Sequence, residues 1–423
     1  MARQLGILVA TLALVLEARA GDLVVNPGKP SAFPTLQAAL DAAQPGDRIL
    51  IETDLAFAAT TKNVVRKSVT IESVDDSRKL IGYSSTVGLQ VPRFEIESLT
   101  PGMPLVLRRL EFIFFSMGTS PGSPGIATRG SIPGEVRLED VAVRWFETPN
   151  YTIWSGLAMR IECTQLWMRN CELFAADTLD RNGCVDIDDT RGSSSLEFSG
   201  DLLLLERCSL RAGSANFLYY SPCWNGSGQH PHGGRGGTAL TARSRHTILV
   251  ATELSDGNGG SVQAGPWNLA PSAGAAGQSS FVSTGGIASF WASGLVSGRP
   301  GVIDAGAPDR TRGQRAALGG PDTQVRLAGS GRLGESFRIE VMVNESRPAA
   351  VLLSAGLKPL TVHFGVLLPD IARVLAVLPF LGSGNLQIPI PTDPLFIDVM
   401  IAAQVAEQYA IQLGNPSSIS IRR

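Results

Sequence analysis

Leu105-Val-Leu107-Arg-Arg-Leu110-Glu-Phe112 returns as Val136-Arg-Leu138-Glu-Asp-Val141-Ala-Val143, as Leu166-Trp-Met168-Arg-Asn-Cys171-Glu-Leu173 and as Leu203-Leu-Leu205-Glu-Arg-Cys208-Ser-Leu210. A fainter copy stands at Thr247-Ile-Leu249-Val-Ala-Thr252-Glu-Leu254. Each copy is apolar-x-apolar, a two-residue step, then apolar-x-apolar again. Such alternation puts the apolar residues on one face of a strand. The step shifts the inward set by one position, which makes it a corner between two short strands. The copies start 31, 30, 37 and 44 residues apart, a period that signals stacked supersecondary units. A chain repeating strand, corner, strand buries its inward residues by stacking, each turn bonding to the next about 4.8 Å away. The pattern predicts an all-β parallel solenoid whose variable segments bulge from one side, where function concentrates. An antiparallel sandwich would instead use tight hairpins every 8 to 12 residues or so. The recurring corner, with its polar pair Arg-Arg, Glu-Asp, Arg-Asn or Glu-Arg, favours the stacked repeat.

Composition supplies an address. Of 423 residues, 44% are hydrophobic and 17% charged, a globular composition, and 46 Gly with 26 Pro demand frequent turns. Arg3 followed by the apolar run Leu5 to Leu16 and by Ala18-Arg19-Ala20 reads as a secretory signal peptide over residues 1–20, cut before Gly21. The run is too short for a membrane span, which needs about 20 apolar residues. Ile371 to Leu381 is also short and contains Arg373 and Pro379. The expectation is a secreted protein, extracellular or in the cell envelope, with no membrane span. A net charge of -2 gives no long-range attraction for nucleic acid. Five cysteines, Cys163, Cys171, Cys184, Cys208 and Cys223, leave at least one thiol unpaired. Cys171 and Cys208 share one apolar slot of the repeat and read as stacked core residues, with a Cys184–Cys223 or Cys163–Cys171 bridge left open.

Upstream, Phe33-Pro-Thr-Leu-Gln-Ala-Ala-Leu-Asp-Ala-Ala-Gln-Pro-Gly-Asp-Arg-Ile-Leu-Ile51 predicts a helix from Thr35 to Ala43, N-capped by Thr35 and stopped by Pro45-Gly46, then a strand over Arg48 to Ile51. Leu36, Ala39, Leu40 and Ala43 form the stripe such a helix would lay over an open solenoid end. This stretch resembles the opening of right-handed parallel β-helix proteins of the pectate-lyase-like superfamily. The resemblance covers roughly residues 31 to 300. It implies a right-handed parallel β-helix over 21–300 with an N-terminal capping helix, and says little about activity.

Residues 301–334 are rich in Gly, Ala, Pro and Arg and read as a linker, with strand character at Thr323 to Leu327. Residues 335–423 alternate at Phe337 to Val343, Ala350 to Ser354, Leu360 to Leu368, Leu395 to Val405 and Ile419 to Ile421, which predicts a small C-terminal β-sandwich. Ile371 to Leu381 fits either a helix or a strand. This tail resembles the small sandwich appended to secreted solenoids in some bacterial lineages.

Asp186, Asp188 and Asp189, with Arg191 behind them, are the strongest catalytic and metal candidates. On a strand, Asp186 and Asp188 share a face about 7 Å apart, which suits Ca²⁺ held by oxygens at about 2.4 Å with Arg191 or a neighbour as base. The bland alternative is an Asp-rich turn. The hydrolase motifs of related β-helices are missing: the chain has no Gly-His-Gly, and Arg160-Ile161-Glu162 ends in the wrong charge. His230-Pro-His232 lacks further ligands, and the glycines at 226–237 and 257–260 read as positive-φ turns. Trp154, Trp167, Tyr219 and Trp224 are candidates for stacking on sugar rings. The expected function is therefore binding of polysaccharide or a cell-envelope polymer. The competing expectation is a Ca-dependent polysaccharide lyase, or another carbohydrate-active enzyme, using Asp186 to Arg191.

Overall fold

The structure, a computed structural model, describes residues 21–58, 62–84, 93–115, 124–146, 156–177, 192–215, 235–259, 281–284, 287–291, 293–297, 315–318, 324–343, 348–362, 365–393, 396–397, 399–407 and 412–421. Residues 1–20, read as a signal peptide, lie outside them. The described residues are nearly all β, with one α-helix. The chain divides into two units, one made of Ala20–Ser289 with Ser293–Leu318, the other containing Gly319–Arg423.

In the first unit, twenty strands join one large sheet that curls into a half-barrel. Its strands fall into three series. The leading series runs through Arg48–Ile51, Thr70–Ser73, 105–108, 136–139, 165–169, 202–206 and 246–250, each parallel to the next. The following series runs through Lys79–Ser84, 110–115, 141–146, Glu172–Phe174, Ser209–Arg211 and Glu253–Ser255. The returning series comprises Asn63–Val65, Phe94–Ile96, Ile126–Thr128, 159–162, 196–200, 240–244 and Phe281–Ser283. Register aligns the repeat's apolar positions into columns. Ile71, Leu107, Leu138, Met168, Leu205 and Leu249 form one. Ile81, Phe112, Val143, Leu173, Leu210 and Leu254 form another. All are buried, each Leu-sized side chain stabilising by about 2 kcal/mol before entropy.

The two-residue steps are corners, as the pattern predicts. Their second residues, Arg109, Asp140, Asn170, Arg207 and Ala251, all have φ between 48 and 56°, a left-handed conformation that only Asn and Asp among them adopt readily. The four leucines Leu202 to Leu205 are buried on both faces of their strand, which suits a continuous apolar run. The helix spans Leu36–Ala42; the Thr35 hydroxyl accepts from Ala38 N at 3.1 Å, and Leu36, Ala39 and Leu40 are buried. At the other end the parallel order stops where Ser293–Val296 pairs antiparallel with Arg315–Leu318, a strand inside the stretch expected to be linker. Cys163, Cys171 and Cys208 are free, buried thiols, so the Cys163–Cys171 bridge is not formed. Burial pushes the Cys163 thiol up to about 12. Cys184 and Cys223 lie outside the described residues.

The second unit is antiparallel. Gln324–Ala328, Ser336–Met342 and Gly384–Pro389 form one sheet, and Val374–Leu381, Pro348–Ala355, Met400–Glu407 and Gln412–Ser420 another. They share a core that includes Val325, Ile339, Val351, Val405 and Ile419. The stretch expected as one strand at Leu360 to Leu368 belongs to a hairpin, Leu357–Val362 with Gly365–Pro369. The ambiguous run resolves into one 3-10 turn, Ile371–Arg373, and the edge strand Val374–Leu381. On that strand Leu375, Leu378 and Phe380 pack on the core, while Val377 and Leu381 are 59% and 77% exposed.

Candidate functional site

The connections from the following to the returning series carry almost every residue singled out from sequence. They leave after Ser84, Phe115, Phe146, Phe174, Arg211 and Ser255 and re-enter at Phe94, Ile126, Met159, Leu196, Leu240 and Phe281. Trp154, Asp186, Asp188, Asp189, Arg191, Tyr219, Trp224, His230 and His232 fall within them and lie outside the described residues. Trp167 is the exception. It sits on the strand Met159–Arg169 and is only 2% exposed, so no open ring face meets solvent there. Among the described residues no group of three His, Cys, Asp or Glu side chains is placed to hold a metal ion.

What the structure does describe is the base of these connections. In the early repeats aromatic rings fill it. Tyr83 stacks on Phe114 with centroids 5.1 Å apart, and Phe114 packs against Trp145 at 5.3 Å with the rings tilted by 32°. Trp145 Nε1 donates to the Leu157 carbonyl at 3.1 Å, and the Tyr83 hydroxyl donates to Asn63 Oδ1 at 2.6 Å. A Cβ on Gly125 or Gly156 would strike Phe114 or Trp145 at 2.5 or 2.7 Å.

In the later repeats the two walls close on each other. Ala176 N donates to Gly156 O at 3.1 Å, Gly213 N to Ser193 O at 2.9 Å, Gly237 N to Gly213 O at 2.9 Å and Gly257 N to Gly237 O at 3.0 Å. This seam demands glycine because the backbones nearly touch. A Cβ would lie 1.8 Å from Ala176 O at Gly213, 2.2 Å from Ser193 O at Gly237 and 1.8 Å from Gly213 O at Gly257. None of these three has a positive φ, so the turn role expected for Gly237 and Gly257 is replaced by close approach. Polar groups tie the seam's outer side: Ser214 N donates to Asp177 Oδ1 at 2.6 Å, Asn258 N to Ser214 Oγ at 3.2 Å and Ala215 N to Asn258 O at 2.8 Å. Sequence reasoning passed over Asp177, Ser214 and Asn258. Their signal is a small-then-polar step after each following strand, Ala175-Ala-Asp177, Ala212-Gly-Ser214 and Asp256-Gly-Asn258.

In the later repeats these bonds tie the described ends of successive connections to one another, and Gly237 N to Gly213 O joins the two ends of the connection between Arg211 and Leu240. The fold is thus that of a nearly all-β protein with a large curled parallel sheet and separate antiparallel sheets. No family model matches the chain, and no curated protein matches it.

Proposed function

We propose that the first unit is a right-handed parallel β-helix capped by the Leu36–Ala42 helix and followed by a small β-sandwich, in a secreted protein that binds polysaccharide or a cell-envelope polymer. One observation carries this reading: the glycine seam fastens the bases of 178–191 and 216–234, the connections that hold Asp186, Asp188, Asp189, Arg191, Tyr219 and Trp224. A connection whose two ends are fastened to a sheet has less chain entropy to lose on binding, which is how loops on a scaffold acquire binding function. The second reading, a Ca-dependent lyase, rests on the carboxylates and Arg191 sharing the single connection between Asp177 and Gly192. The test is retention of the mature protein on a panel of acidic and neutral polysaccharides, for the parent and for chains in which 179–190 or 217–233 is replaced by a short Gly-Ser bridge. Loss of retention at unchanged melting temperature supports binding at these connections; undiminished retention overturns it. Unsaturated product absorbing near about 235 nm, dependent on Ca²⁺ and abolished by Asp186→Ala, would move the assignment to the lyase.

A further inference from the structure

The first residues of four corner pairs, Arg108, Glu139, Arg169 and Glu206, line up with Glu72 across five successive leading strands. Glu72 is register partner of Arg108, Arg108 of Glu139, Glu139 of Arg169 and Arg169 of Glu206. The column therefore alternates in sign at every step; Glu72, Arg108, Arg169 and Glu206 are buried, and Glu139 is partly exposed, its side chain at 14%. Arg108 reaches Glu72 at 3.1 Å and Glu139 at 2.9 Å, and Arg169 lies 3.8 Å from Glu139 and 3.9 Å from Glu206. Arg48 and Arg109 flank the first carboxylate and Arg207 the last, and Val250 ends the column without charge.

Within the leading series the apolar column cannot tell one repeat from another, because Leu107, Leu138, Met168 and Leu205 are close to interchangeable in size and chemistry. A strand that skipped its neighbour and paired one repeat further on would bury its apolar residues almost as well. The charged column forbids that error. Inside the charged column a skip of one repeat sets Glu72 on Glu139, Arg108 on Arg169 or Glu139 on Glu206, like charges in a largely buried column, where their repulsion is weakly screened. We infer that the column Glu72, Arg108, Glu139, Arg169, Glu206 is a register key, which selects the stacking order of the repeats and is not required to hold the sheet together. Buried ion pairs replaced by apolar groups of similar volume commonly leave stability unchanged or raised, while their use in fixing register is documented elsewhere.

The test uses a reporter outside the column. Glu111, Ala142 and Glu172 are aligned on three successive strands. Glu111 and Glu172 are thus about 9.6 Å apart across the middle strand, beyond the roughly 7 Å a disulfide can bridge. Skipping the middle strand makes them neighbours. Glu111→Cys with Glu172→Cys is placed in the full-length mature chain, with and without the triple change Arg108→Met, Glu139→Gln and Arg169→Met. Both chains are refolded and oxidised, and the 111–172 link is quantified by peptide mapping in the cooperatively melting monomer. At least a tenfold rise in that link in the neutralised chain, at a melting temperature within a few degrees of the parent, is the expected result. A link that stays at the parent level overturns the key. So does a neutralised chain that fails to fold, since the column would then be a stabilising contact and not a selector.

Discussion

The two units of this chain bury polar groups in opposite ways. The parallel unit buries charges, Glu72, Arg108, Arg169 and Glu206 among them, stacked in register. Among the described residues of the antiparallel unit the buried polar side chains are neutral: Ser354, Gln404, Ser417, Ser418 and Ser420. The difference follows from how each sheet finds its register. An antiparallel pair inherits register from the turn that joins it, as where Gln324–Ala328 passes to its partner Ser336–Met342 through Gly331 at φ 73° and Gly334 at φ 78°. Parallel neighbours are joined by long excursions that fix nothing, so side chains must carry the pairing information themselves.

The comparison breaks most visibly at the core. Leu138→Asp puts a carboxylate into an apolar column at a site with 0% exposure and is expected to cost at least about 4 kcal/mol, leaving no folded protein to recover. Leu381→Asp, on the exposed edge of the antiparallel unit, should stay within about 0.5 kcal/mol. Normal yield and an unchanged melting temperature for Leu138→Asp would refute the inward assignment. Glycine gives a second contrast. Gly213→Ala should destabilise by about 2–3 kcal/mol in urea unfolding, because the new methyl meets the Ala176 carbonyl. Gly356→Ala, at φ 126° with nothing within 4 Å, should lose only the conformational part, about 1 kcal/mol.

Acid should separate the units next. Burial pushes the Glu72 carboxyl up, but Arg108, Arg48 and Arg109 outweigh it and hold the group below its usual 4.5. Its stabilising contribution is complete above that value and is lost as pH falls through the lower folded value. On going from about pH 6 to about pH 3, the calorimetric transition of the parallel unit should fall further than that of the antiparallel unit. Glu72→Gln should reduce the gap; equal shifts in both units would contradict the assignment. The smallest effect is expected at the last corner, where Ala251→Asn places the residue of Asn170 into the same left-handed conformation and should gain about 0.5 kcal/mol.

Much of this fold is legible from residues. The corner shows because one polar pair recurs between apolar-x-apolar halves, and the helix because Thr35 and Pro45-Gly46 bracket an alanine-rich stripe. The charge alternation within the same pairs was in view too, but Arg-Arg and Glu-Asp read simply as polar until register put Arg108 beside Glu139. The seam was misread for a physical reason: a glycine needed for a bent backbone and one needed for a close neighbour look identical in a sequence, and only the carbonyl of Ala176 or Ser193 distinguishes them. Strand Gly384–Pro389 was missed because its side chains are mostly exposed and so lack an apolar alternation. Of the candidate site, Trp154, Asp186, Asp188, Asp189, Arg191, Tyr219 and Trp224 lie in connections outside the described residues, while Trp167 belongs to the core.

The strand that runs against the others, Arg315–Leu318, also bears on how the molecule is made. Each parallel strand pairs with one that precedes it in the chain, and the helix Leu36–Ala42 is synthesised before almost any of them. Assembly can thus proceed in the order of translation, every arriving strand finding its template already in place. Each intermediate exposes one growing edge until Arg315–Leu318 arrives and reverses the direction of pairing. That reversal closes the following series with an antiparallel strand, so the last strand it offers there no longer repeats the parallel template on which every earlier strand was laid.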